Sequence, residues 1–217
     1  MTVETLIAGG TVVTGESMFE AAVAIDDGTI VCVGDETALP DADRRVDASG
    51  SLVLPGVVDP HVHLAGYNTL DSYESGTAAA AAGGVTSLVN FAWQGWQPEA
   101  GTFGSGGTLT EAVERHRSNA GEALIDVSFH PVVTREDPSV FEELPALVDE
   151  GVTSFKIFTT DSIRLSHGFI GELFEQLADI GAVGLAHTED HAVCETVTEQ
   201  LRGSPDPTVY PDSRPDY

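Results

Sequence analysis

The sequence predicts an α/β fold: the first five strands of a (β/α)8, TIM-like barrel, preceded by a small N-terminal β-sandwich portion. Three observations carry this. From residue 53 onward, short apolar runs that read as strands alternate with helical stretches, the pattern of a parallel sheet with covering helices. The runs end at His63, Ala92, Pro131, Phe158 and His187, a spacing that suits one β/α unit each. His61, His63, Lys156 and His187 all sit at or near these carboxyl ends, where such a barrel gathers its site. The expected portions are residues 1–53 and 54–217.

The first portion is a series of short β-branched runs, Thr5–Ala8, Thr11–Thr14, Ala22–Ile25 and Thr29–Val33. Gly9-Gly10, Asp26-Asp27-Gly28 and Gly34-Asp35 separate them as hairpin turns would, so a small antiparallel sheet with no catalytic residue is expected. Barrel strands are expected at 53–63, 85–92, 124–131, 152–158 and 182–187. Between them, helices run from Asp71 to Ala82, from Asp137-Pro138 to Glu150 with a bend at Pro145, from Gly168 to Ile180, and from Glu189 to Leu201. Each stops at or near glycine: Gly83, Gly151, Gly181 and Gly203. A doubly wound sheet is the rival fold, but no G-x-G-x-x-G follows the first strand, and Gly104-Ser-Gly-Gly107 is too short to cradle phosphate. Trp93, Gln94 and Trp96, beyond the second strand, either line a substrate pocket or form a packed lid.

Composition narrows the function classes. The 35 acidic residues against 9 basic ones give a formal net charge of −26, which excludes nucleic acid as a partner. The acids are dispersed, like the solvated coat of a halophilic protein; melting temperature should rise as KCl is raised to molar levels, and an unchanged one would oppose this. No apolar run is long enough for a membrane span. Met1-Thr2-Val3-Glu4 has no basic-then-apolar signal pattern, and Cys32 and Cys194, far apart in apolar contexts, are expected as buried thiols in a reducing cytoplasm.

The chemistry centres on Leu54–Leu64. Residues two apart on a strand point the same way, so His61 and His63 project from one face and can grip a transition metal together. An isolated H-x-H would more often be ordinary hydrogen-bonded histidines; Asp59, at the same parity, and the downstream candidates favour metal. Lys156 is the only lysine in the chain, kept within the apolar segment Val152–Phe158. It either pairs with a carboxylate inside the barrel or is kept because the position needs a primary amine, which arginine cannot supply.

Taken together, P-G-x-x-D-x-H-x-H over 55–63, Lys156 on the fourth strand and His187 ending the fifth resemble the binuclear amidohydrolases. The nearest branch is the cyclic amidases: dihydropyrimidinase and hydantoinase, with allantoinase and dihydroorotase as relatives. Ser72–Ser87 is similar to the family's first helix and second strand, Ser154–Phe158 to its carbamate strand, Ala186–Glu189 to its fifth strand, and Asp206–Pro215 to the segment before its sixth. The resemblance covers essentially the whole chain. It implies two divalent metal ions, zinc in most members: His61 and His63 hold one, His187 helps hold the other, and a CO2-derived carbamate on Lys156 bridges them. Asp59 supports the histidines, and a water between the ions attacks the carbonyl of a small cyclic amide or ureide.

Departures from the family pattern matter too. No arginine follows H-x-H in Leu64-Ala65-Gly66-Tyr67, unlike dihydroorotases and allantoinases, which favours the hydantoinase side. Hydantoinases usually place an oxyanion-donating tyrosine five residues after the lysine; here that position is Asp161. Trp93, His130 and Asp161 are the substrate-binding candidates. The family's remaining metal histidine and its aspartate come from strands six and eight, beyond these 217 residues. The resemblance therefore implies the N-terminal part of such an enzyme, incomplete alone: a homo-oligomer when complete, or one whose strands six to eight come from a partner chain. The alternative is a non-catalytic scaffold that keeps the fold. Of the other histidines, His116 is expected on a charged helix face, His167 and His191 in exposed positions, and His130 in packing or beside the site.

Overall fold

The computed structural model describes residues 2–214; Met1 and residues 215–217, including Pro215 of the tail motif, lie outside them. Two compact units divide the chain, Met1–Gly56 and Val57–Tyr217, against the expected division at 53/54. In the first, β1 (Thr2–Val13), β2 (Met18–Asp26), β3 (Thr29–Gly34), β4 (Asp41–Asp47) and β5 (Leu52–Val53) form one sheet. Asp27 and Gly28 both have positive φ, the turn that an Asp-Gly pair favours between β2 and β3. The sheet is mixed, which corrects the antiparallel expectation: β4 and β5 both pair parallel with β1. After β3, Asp35 caps a short 3-10 turn, Glu36–Ala38, and the chain crosses to the free edge of β1 instead of forming another hairpin.

Gly9-Gly10 is likewise not a turn. The two runs around it are one strand, with a bulge between Ile7 and Gly10 where Gly9 takes φ +77°. Cys32 lies on the edge strand β3 and is exposed, contrary to expectation, whereas Cys194 is buried.

The second unit is α/β. Its strands are β6 (Val57–Val62), β7 (Val85–Trp93), β10 (Asp126–Val132), β11 (Ser154–Phe158) and β12 (Val183–His187), and a two-residue hairpin, β8 (Trp96–Gln97) with β9 (Thr102–Phe103), follows β7. The five longer strands make a curled, all-parallel half-barrel in the order β12-β11-β10-β7-β6. Helices α1 (Tyr73–Ala82), α2 (Leu109–Asn119), α3 (Ser139–Asp149), α4 (His167–Asp179) and α5 (His191–Leu201) follow them. Ser72, Thr108, Ser166 and Asp190 cap α1, α2, α4 and α5 through side-chain oxygens. Helix α3 continues through Pro145, which has no N–H to offer the Phe141 carbonyl; Gln176 Nε2 from α4 donates to that carbonyl instead, at 2.9 Å.

Alternation along the strands separates core from site. Leu88 and Ala92, Phe129, and Phe155 and Ile157 pack outward under the helices, beside Leu109, Val113, Leu144, Leu147, Leu173 and Leu177. Phe91 and Trp93, Val132 and Lys156 lie on the opposite, concave side. Gly76 allows α1 to approach the end of β6: a Cβ there would overlap the Leu64 side chain, next to His63.

Candidate metal centre

His61, in β6, and His63, one residue past its end, project together. Their ring centroids are 5.5 Å apart, and both rings pack on Phe91 of the neighbouring strand, at 4.7 Å for His61 and 4.8 Å for His63. Trp93 extends this floor, stacking with His63 at 6.0 Å. Burial, His61 and Lys156 together hold His63 below the usual histidine pKa, favouring the neutral ring that a metal requires. Asp59 touches neither ring; its carboxylate accepts the main-chain N–H of His61 at 3.0 Å and so fixes the backbone from which that ring projects.

Lys156 is 6% exposed, and its neighbours Phe155 and Ile157 face the helices, so strand alternation turns the amine into the concavity. Its Nζ lies 5.7 Å from the Phe91 centroid and 5.1 Å from that of Phe158. Among the described residues it has no ion pair and no hydrogen bond. The carboxylate-paired alternative thus has no support here. Burial lowers the amine's pKa, since no anion offsets the cost of desolvating its charge.

His187 ends β12 opposite Phe158, in register with it and stacked on its ring at 5.2 Å. Its Nε2 meets Glu189 Oε1 at 2.6 Å. His61, His63, Lys156 and His187, from three strands, line one cleft of about 1120 Å3, with Trp93, Asp161, His191, Glu189 and Arg214 among its other walls. Asp161 is exposed, at φ +69°, and its carboxylate accepts the Ser162 N–H at 2.6 Å.

Two struts hold this face. His130 has both ring nitrogens engaged: Nε2 donates to the Pro60 carbonyl at 2.9 Å, and Nδ1 accepts from the Ser154 hydroxyl at 2.6 Å, tying β6 to β10 and β11. On the helix side, Asn90 accepts the Leu64 N–H at 3.0 Å and donates to the Leu64 carbonyl at 2.8 Å and to Tyr73 Oη at 2.7 Å. The Tyr73 hydroxyl in turn donates to His116 Nδ1 at 2.8 Å.

His116 therefore corrects the expectation of a charged helix face: it is buried. Its turn of helix does carry Glu114 and Arg117 outward, but Leu109, Ala112, Val113 and His116 form a stripe at i, i+3, i+4 and i+7, which could have revealed it. Desolvation, then Arg115, lowers the His116 pKa to about 4, and burial raises that of Tyr73 to about 12. A base with a depressed folded-state pKa loses stability as pH falls from its unfolded value, near 6.5, to about 4, after which the loss levels off. It should reach about 3 kcal/mol. Urea melts across that window should show the slope, and His116→Asn, which keeps an acceptor for Tyr73, should flatten it; an unchanged slope would assign it elsewhere.

The remaining candidates are structural or peripheral. Gln94 is buried and accepts the Thr134 N–H at 3.2 Å. Trp96 packs with Tyr67 and Phe103. Arg135 donates to the carbonyls of Gly106 and Gly107, so that loop presents acceptors and not a phosphate cradle. His167 is exposed, while His191 is half-buried against Glu195 at 3.2 Å, contrary to the exposed position expected. Glu189 and Arg214 were not singled out by the sequence as individual site residues, although each lies within a motif of the resemblance.

No family model matches the chain. It is 34% identical to the D-hydantoinase of Geobacillus stearothermophilus over 97% of its own length and 45% of that protein's. It is 33% identical to the dihydropyrimidinase of Arabidopsis thaliana over 85% and 34%. The D-hydantoinase structure from Bacillus sp. AR9 superposes with a TM-score of 0.86 at 31% identity, over 98% of this chain and 46% of that one. The chain belongs to the hydantoinase and dihydropyrimidinase group of cyclic amidohydrolases. It spans about half the length, or less, of the hydantoinases and dihydropyrimidinases it matches.

Among the described residues of this hydantoinase relative, no three His, Cys, Asp or Glu side chains lie close enough to hold an ion by themselves. His61 and His63 are a pair, and Lys156 lines the same cleft. A buried, unpaired amine fits as a further donor, because a carbamate on it would supply two oxygens. No helix is long and apolar enough to cross a membrane among the residues described.

Proposed function

We propose that these residues form the metal-and-lysine half of the site of a metal-dependent hydrolase of cyclic amide C–N bonds, acting on rings of the hydantoin or dihydrouracil type. The observation that carries the reading is the convergence of His61, His63, His187 and an unpaired, buried Lys156 on one cleft. His61 and His63 would hold one divalent cation, zinc by its affinity for imidazole, and His187 a second. As a neutral amine, Lys156 would add to CO2, forming a C–N bond and releasing one proton to water, and the resulting single negative charge would offset part of the cations' charge. Such ions supply Lewis-acid polarisation of the amide carbonyl and lower the pKa of bound water. The chain's own contribution is to aim the rings through Phe91 and Phe158, and to lower the pKa of the Lys156 amine by burying it.

The edge strands β6 and β12 expose Val57, Val58 and Val183, where further strands, from the same chain or a partner, would pair. Without the ligand and proton carrier expected from such strands, the 217 residues alone should bind zinc yet turn over hydantoin or dihydrouracil negligibly. Zinc content after dialysis, with and without bicarbonate, tests this. Bicarbonate-dependent retention supports the proposal, and a chain that never holds zinc would favour the scaffold reading.

A further inference from the structure

We propose that Glu189 is the positioning residue that fixes the tautomer of His187, an assignment that rests on the reading of His187 as a ligand. An ionised carboxylate can only accept, so the 2.6 Å contact makes His187 Nε2 the donor and, in the neutral ring, leaves Nδ1 with its lone pair free. The stacked Phe158 ring fixes the plane of the imidazole, and Glu189 fixes its rotation within that plane.

Glu189 is itself held by Arg214, Cys194 and Thr159. Its second oxygen, Oε2, lies 2.7 Å from Arg214 Nε and accepts from Cys194 Sγ at 3.2 Å. Its main-chain N–H donates to Thr159 Oγ1 at 2.9 Å, and that hydroxyl donates back to the Glu189 carbonyl at 2.8 Å. Thr159 also reaches the His187 carbonyl through its own N–H, at 3.0 Å, so the loop after β11 and the end of β12 move as one piece. Arg214 comes from the segment after α5, which makes the orientation of His187 depend on where that segment docks.

A carboxylate that merely anchored α5 would not select a tautomer, and that difference is measurable. In the metal-free full chain labelled with 15N-histidine, long-range proton–nitrogen correlation should find His187 almost wholly in the Nε2–H form. Glu189→Ala should give a mixture of tautomers, and Glu189→Gln, whose amide oxygen still accepts, should restore the Nε2–H form. Zinc titrated against a chromophoric chelator should bind the His187-dependent site about 10- to 100-fold more weakly in Glu189→Ala, with partial recovery in Glu189→Gln. An unchanged tautomer in Glu189→Ala, or no recovery in Glu189→Gln, would overturn the assignment. A tautomer that responds in a chain taking up no zinc would uphold the positioning role and defeat only the ligand reading.

Discussion

Lys156→Met should leave the protein as stable as before, or more stable by about 1 kcal/mol, while weakening zinc binding at least about 100-fold. The two halves of that result come from one fact: the amine is buried with no anion beside it. Desolvating it costs the folded state free energy that no partner returns, so methionine, of similar length and without charge, removes a penalty. The same substitution removes the amine that would carry the carbamate anion. Urea denaturation and metal analysis on one preparation would read both. A loss of about 3–5 kcal/mol would mean that Lys156 belongs to a buried ion pair and would sink the metal reading.

The largest loss of stability is expected at a residue that touches no candidate ligand directly. Asn90→Leu should cost about 4 kcal/mol, because it strands the Leu64 N–H and the Leu64 carbonyl in a dry interior at about 1–3 kcal/mol each and removes the bond that the Tyr73 hydroxyl accepts, while that hydroxyl keeps His116 Nδ1. Leu64 follows His63 directly, so the variant should also loosen the histidine pair and broaden the His63 imidazole signals in NMR. A cost below about 1 kcal/mol, with His63 unaffected, would show that β6 is held by its ladder bonds alone.

Much of this was legible in the chain. Alternation with period two tells which side of a strand a residue faces, so the pairing of His61 with His63, and of Lys156 against Phe155 and Ile157, follows from local geometry. Glycines after the helices marked their ends to within two residues. The N-terminal sheet was harder: Gly9-Gly10 serves a turn or a bulge equally well, and Asp41–Asp47 is too polar to read as a strand.

By itself, then, the sequence determined the β/α rhythm, the face on which each candidate ligand lies and the singular amine, since each depends on residues a few positions apart. Only the tertiary structure decided that His116 is buried against Tyr73, that His130 carries the Pro60 carbonyl from 70 residues away, and that Glu189 meets both His187 and Arg214. The physical reason is that hydrogen bonds between distant segments depend on strand order and register, and local periodicity encodes neither.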